Sequence, residues 1–263
     1  MIPSLIECRS REVQKQKDIP RQSMATMALS FAQRLVPSLA LHEPIARSLR
    51  YIEENIEAEP SANKLFALLY LALERVYGGH DPERAVERMQ AALSAELFQY
   101  PIAANLYLRL SNLLPKPLPH AAYVTETQRY NLSLVPRRHR FFDYADALMW
   151  GKRHEPDLAS KERQYLLSCM TKDHWFVDPR TRSPVLASVA GKFFEVFAYH
   201  DENAELAEAI YTRLMREKVS SQYAKDVLGI FADFILSEPN TLRIDDAHFH
   251  ILVGLCYRYQ ALV

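Results

Sequence analysis

Apolar residues recur along this chain at three- and four-residue spacing, interrupted by short polar stretches that contain proline. Met27, Phe31, Leu35 and Leu39 fall four apart, which predicts an amphipathic helix over residues 24–39. Ile45, Leu49, Ile52 and Ile56 form one stripe, with Arg47, Arg50, Glu53 and Glu54 off it, and predict a second over 45–56. The same reading gives helices over 63–77, 82–97, 102–114, 121–134, 141–153, 156–170, 185–199, 204–218, 221–236 and 240–263. Residues 171–184 are the least regular stretch and read as a long loop, of the kind that often carries function. Residues 1–22 are mixed in charge and weakly patterned, so they read as a flexible N-terminal tail, and 23–263 as a single all-helical domain of about six helix pairs.

Six helix-start signals punctuate the pattern: His42-Glu43-Pro44, His80-Asp81-Pro82, Pro119-His120, His154-Glu155-Pro156, His200-Asp201-Glu202 and Ser237-Glu238-Pro239. The first turn of a helix leaves backbone N–H groups unpaired, and an acidic side chain there accepts from them and faces the positive end of the dipole. Proline at the first helical position gives up only an N–H that would have been orphaned. From Glu43 to Glu238 the mean interval is 39 residues, within the range that marks stacked helical hairpins. The intervals between successive histidines vary, at 38, 40, 34 and 46. The third signal lacks the acid. The fold expected is all-α, an array of stacked antiparallel helix pairs forming a solenoid, with a compact helical bundle as the alternative.

The clearest hairpin joins 63–77 to 82–97, with Gly78-Gly79 able to take the left-handed conformation that ends a helix. Leu69, Ala72, Leu73 and Val76 on its first helix, with Ala85, Met89 and Ala92 on its second, resemble the packing positions of a tetratricopeptide repeat (TPR). The resemblance covers one unit and departs from the family at the terminal proline position, where Leu97 stands. Ala207, Tyr211 and Leu214 echo it. It implies a TPR-like superhelix and a scaffold that binds proteins or peptides.

Composition narrows the classes. With 49% hydrophobic residues the 263-residue chain can bury a substantial core, and 6 glycines against 15 prolines argue against a sheet-rich fold and against phosphate-binding loops. The formal net charge is 0, where a bulk nucleic-acid binder is usually basic. Cys8, Cys169 and Cys256 are odd in number and far apart, which suits free thiols in a reducing compartment. Residues 1–22 hold no apolar core of a secretory signal, and the most apolar run, residues 65–73, is too short to span a bilayer. The protein reads as soluble and cytoplasmic, with no membrane span.

The local feature with most chemistry is a basic cluster. Arg137, Arg138, His139 and Arg140 follow Pro136, Arg129 precedes them, and Lys152 and Arg153 come one helix later. Tyr130, Phe141, Phe142, Tyr144 and Trp150 interleave, and the long loop adds Trp175, Phe176, Arg180 and Arg182. Guanidinium groups hold carboxylates and phosphates in bidentate fashion, and aromatic rings anchor interfaces or stack on bases. The partner-binding set expected is Arg137, Arg138, Arg140, Lys152, Arg153, Trp175, Arg180 and Arg182. The bland alternative is a solvated basic turn with its aromatics in the core.

Metal and catalytic readings are thinner. His200-Asp201 matches the dyad of HD-type phosphohydrolases, with His174, Asp226 or Asp233 as further ligands, but it sits in a polar helix start. His248 and His250 are two apart, about 200° around a helix, and cannot share a metal. Asp143 and Asp146 lack a third ligand of suggestive spacing. No glycine-rich phosphate loop, Cys-x-x-Cys or Gly-x-Ser-x-Gly is present. The sequence therefore points to a non-enzymatic scaffold or adaptor that takes an acidic peptide or protein partner, with no catalytic residues, metal or cofactor assigned. The alternatives are a nucleic-acid-binding helical protein using the same patch and, third, a metal-dependent HD-type hydrolase. The final helix carries Ile251, Leu252, Leu255, Tyr259 and Leu262, an apolar stripe open to self-association.

Overall fold

The computed structural model describes residues 5–7, 13–14, 18–94, 100–134, 141–185, 187–199, 204–220, 241–243 and 246–262. Its class is all-α: eleven α-helices account for most of the described residues, with three short strands beside them. The chain divides into two compact units, residues 18–166 and a discontinuous unit of 1–17 with 167–263. The sequence reading had one domain from residue 23 onward.

The 18–166 unit holds α1 (Ile19–Leu35), α2 (His42–Asn55), α3 (Ser61–Gly78), α4 (Glu83–Ala91), α5 (Pro101–Leu113), α6 (Ala121–Leu134), α7 (Phe141–His154) and nearly all of α8 (Pro156–Ser168). α1 starts at Ile19, inside the stretch read as a tail, because Asp18-Ile19-Pro20 is itself an acid–proline start. The Asp18 side chain accepts from the Arg21 N–H at 2.9 Å and Pro20 lies in the first turn. α1 ends at Leu35 rather than 39, giving way to the short 3-10 turn Pro37–Leu39.

α3 is the centre of this unit. Leu65, Ala67, Leu68, Leu69, Leu71, Ala72 and Leu73 are all buried, and the helix packs on α1, α4 and α5. It ends as its glycines suggested. Gly79 takes φ 76, its N–H donates to Val76 O (3.1 Å), and the His80 N–H reaches back to Arg75 O (2.8 Å), a Schellman closure. Arg34 of α1 donates to the carbonyls of Val76 and Tyr77 at 3.4 and 3.3 Å, which adds a cation where the dipole is negative.

Buried polar side chains are paired across these helices. Gln22 and Thr26 of α1 both meet Ser48 Oγ of α2 at 2.5 Å. Arg109 of α5 donates through Nε to Tyr77 Oη (2.9 Å), and the Tyr77 ring stacks on Phe31 at 4.6 Å between centroids. Trp150 of α7, fully buried, donates to Asn105 Oδ1 of α5 (3.0 Å). α7 and α8 approach closely where a Cβ on Gly151 would sit 3.3 Å from that of Ala159.

The discontinuous unit contains the 169–185 loop, α9 (Ala187–Tyr199), α10 (Ala204–Ser220) and α11 (Asp246–Gln260), with β1 (Leu5–Glu7), β2 (Val13–Gln14) and β3 (Thr241–Arg243). The strands form an antiparallel sheet in the order β2-β1-β3, with Ile6 opposite Val13 and Leu242. Phe176 from the loop packs edge-on against Phe193 of α9 at 4.5 Å. α9 buries Phe193, Phe194, Val196 and Phe197, and its main partner is α11. Between them lies a buried charged cluster: Glu195 Oε2 meets His250 Nδ1 at 2.5 Å and Lys192 Nζ at 3.6 Å. α11 presents two faces. Ile251, Val253, Cys256 and Tyr257 are buried, whereas Leu255 and Tyr259 are exposed, as is Leu262 just past its end. Burial pushes the Cys256 thiol up to about 12, so it stays protonated and unreactive.

Gly254 lets α11 lie against α9. A Cβ there would stand 2.6 Å from Phe194 Cε1, a clash with a buried ring, and 3.2 Å from Glu195 Cα, a tight contact with backbone. Gly254→Ala is expected to cost about 1–3 kcal/mol, read as a lower Tm by circular dichroism; an unchanged Tm would mean the two helices separate freely.

Candidate functional site

Three helices of the 18–166 unit enclose a cleft of about 580 Å³. α2 contributes Leu49 and Glu53, one turn apart. α3 contributes Leu68, Leu71 and Arg75, spaced for one face, with Glu74 beside them. Asp81 follows α3, and α4 brings Arg84, Ala85 and Arg88. Leu49, Leu68, Leu71 and Ala85 make apolar walls, with charged groups of both signs around them. The volume falls in the range of ligand pockets, roughly 300–1,000 Å³.

The helices bounding the cleft are fastened by a charged network. Arg88 Nη1 reaches both oxygens of Glu53 at 2.8 and 2.6 Å, and Nη2 reaches Glu57 Oε1 at 3.0 Å. Lys64 of α3 bonds the other Glu57 oxygen. Burial disfavours the Arg88 charge, but its hydrogen bonds to Glu53 and Glu57 outweigh that and hold its pKa above the ordinary value. The hydrogen bonds from Lys64 and then Arg88 hold the Glu57 carboxyl below the usual range. α4 is set against α3 by Asp81, whose Oδ1 accepts from the Glu83 N–H at 3.0 Å, and by Arg75 Nε donating to Asp81 O at 3.5 Å. The expected start signal His80-Asp81-Pro82 thus shapes one wall.

Glu74 is the unusual member. Its side chain is 1% exposed. Oε1 accepts from Ser30 Oγ of α1 at 2.7 Å, while Oε2 is buried without a hydrogen-bond partner among the described residues. Arg84 is exposed and makes no ion pair or hydrogen bond among the described residues. Neither residue was marked by the sequence reading. The available signal was an acid directly after the apolar run of α3, three residues after Leu71 and therefore on its buried face.

The residues picked from sequence are distributed differently. Arg137, Arg138 and Arg140 lie outside the described residues. Lys152 and Arg153 fall in the last turn of α7, with Lys152 exposed. Trp175 is 8% exposed and serves as an internal fastener: its indole N–H donates to Val185 O (3.2 Å), and the Arg213 guanidinium of α10 lies 5.1 Å from its ring centroid. Arg213 also binds Asp173 at 3.0 Å, and hydrogen bonds from Thr171 and Arg213 lower the Asp173 pKa. Arg180 and Arg182 are exposed on a turn built by Asp178, which accepts the Arg180 N–H at 2.7 Å. Lys152 and Arg153 belong to the 18–166 unit, and Trp175, Arg180 and Arg182 to the other. Of the interleaved aromatics, Trp150 and Phe176 are core, while Tyr130 is exposed.

For metal chemistry, His200, Asp201, Asp226 and Asp233 lie outside the described residues. His174 stands in the loop at φ 61, His250 is held by Glu195, and Asp146 accepts from Asn105 Nδ2 at 3.4 Å. Among the described residues no group of three His, Cys, Asp or Glu could hold a metal ion, and no helix is long and apolar enough to cross a membrane. No protein-family model, curated protein or solved structure matches the chain.

The network around Glu57 makes stability depend on acid. The folded pKa of Glu57 is lowered, so its contribution is present above the unfolded value, near about 4.3, and is lost as pH falls through the folded pKa. Wild type is expected to melt above Glu57→Gln at about pH 7 and to lose that advantage as pH falls below the ordinary carboxylate range. Parallel curves across that range would show that the network does not stabilise the cleft.

Proposed function

We propose that this chain is a non-enzymatic interaction scaffold or adaptor, built of antiparallel helix pairs stacked in TPR-like fashion, and that it holds a segment of a partner protein in the cleft bounded by α2, α3 and α4. The observation that carries this reading is the cleft itself, about 580 Å³ with apolar walls and an exposed arginine at its rim. Apolar walls supply affinity through burial, and polar groups at fixed positions supply orientation. Arg84, with no partner among the described residues, suits a carboxylate on the bound segment. This keeps the acidic character expected of the partner and moves its main contact from Arg137, Arg138 and Arg140 to the cleft. Arg180 and Arg182, exposed on their turn, offer further contacts to acidic groups.

Ala85→Trp fills the cleft from α4 with a bulky ring. Affinity capture from nuclease-treated lysate is expected to recover proteins on wild type that the folded Ala85→Trp variant does not hold. The same proteins on both would place binding elsewhere on the chain. Loss of every partner with nuclease would favour the nucleic-acid alternative.

A further inference from the structure

We infer that the wall of this cleft reads a positive charge: Glu74 Oε2 takes the ammonium group of a lysine side chain presented by the bound segment. The inference rests on the binding role proposed for the cleft. An ionised carboxylate offers about four acceptor positions. In Glu74, 1% exposed, Ser30 occupies one oxygen and the other has no hydrogen-bond partner among the described residues. Leaving a buried polar acceptor unpaired is costly, and nearly all buried polar groups in native proteins are satisfied.

The nearby cations are engaged elsewhere or face solvent. Arg88 is bound to Glu53 and Glu57, Arg75 donates to the Asp81 carbonyl, Arg34 caps the end of α3, Arg109 donates to Tyr77, and Arg84 and His80 are exposed. None of them bonds Glu74. The missing partner therefore comes from outside these helices.

Its chemistry follows from the geometry. A metal ion would need several ligands, and no such group exists among the described residues. A guanidinium is held best by both oxygens of a carboxylate at once, and at Oε1 it would share the acceptor with Ser30. A single ammonium fits a single unpaired oxygen; Oε2 is buried, so a turn of the Glu74 side chain toward the cleft brings it to the ammonium. Its four-carbon stem can lie along Leu49, Leu68, Leu71 and Ala85 while the charge is buried. A lysine within a peptide suits the site better than a free amine, because Arg84 at the rim can take an acidic group on the same segment.

The test uses the full chain and three capped pentapeptides, each with a central residue between two leucines: lysine, norleucine or arginine. Titration calorimetry on wild type is expected to show the lysine peptide binding at least tenfold tighter than either of the others. Glu74→Gln should remove that preference. Norleucine or arginine binding as tightly as lysine would overturn the inference, as would no binding by any of them, and neither comparison needs a variant to fold. Capture of partners by wild type but not by Ala85→Trp would leave the cleft reading standing even then.

Discussion

The burial of α3 is the constraint on which the 18–166 unit depends. A helix apolar on nearly every side must be covered on every side, and α1, α4 and α5 cover it. Each polar group it carries inward must then find a partner in the surrounding helices. Tyr77 finds Arg109, the terminal carbonyls find Arg34, and Glu74 Oε1 finds Ser30. Glu74 Oε2 is the exception, in a side chain that lines the cleft beside α2 and α4.

In the discontinuous unit the constraint takes another form. α9 and α11 meet at Gly254, where the absence of a side chain lets a ring and a backbone come close. The close approach buries Lys192 and Glu195 and sets His250 against the same carboxylate, so the Glu195 carboxylate has partners inside the helix pair. The 169–185 loop is likewise organised internally. Trp175, Asp173 and Arg213 tie it to α10, and Asp178 folds its tip.

Much of the helical layout was legible because it is local. Periodicity placed the helices, and acid–proline pairs with Gly78-Gly79 placed several of their ends. The start of α1 was missed because Asp18-Ile19-Pro20 sits in mixed-charge sequence, although its chemistry is the same as the others. The pairing of β1 with β3 was illegible, since Leu5 and Arg243 are far apart in sequence and the strands are only three residues long. The site was harder still. A tryptophan among arginines reads as an interface anchor, and only packing shows that Trp175 faces inward. The chemistry of Glu74 depends on what surrounds one oxygen, which no residue pattern records.

The central question is whether Glu74 Oε2 is an unpaired acceptor held for a ligand or an atom with a partner inside the chain. Thermal melting of Glu74→Gln decides it, because glutamine keeps an acceptor for Ser30 and puts an uncharged amide NH2 in place of Oε2. The account predicts a folded variant with a Tm equal to or above that of wild type. A loss of about 3 kcal/mol or more, the scale of a broken buried ion pair, would mean that Oε2 is already paired and that the cleft has no charge left to offer.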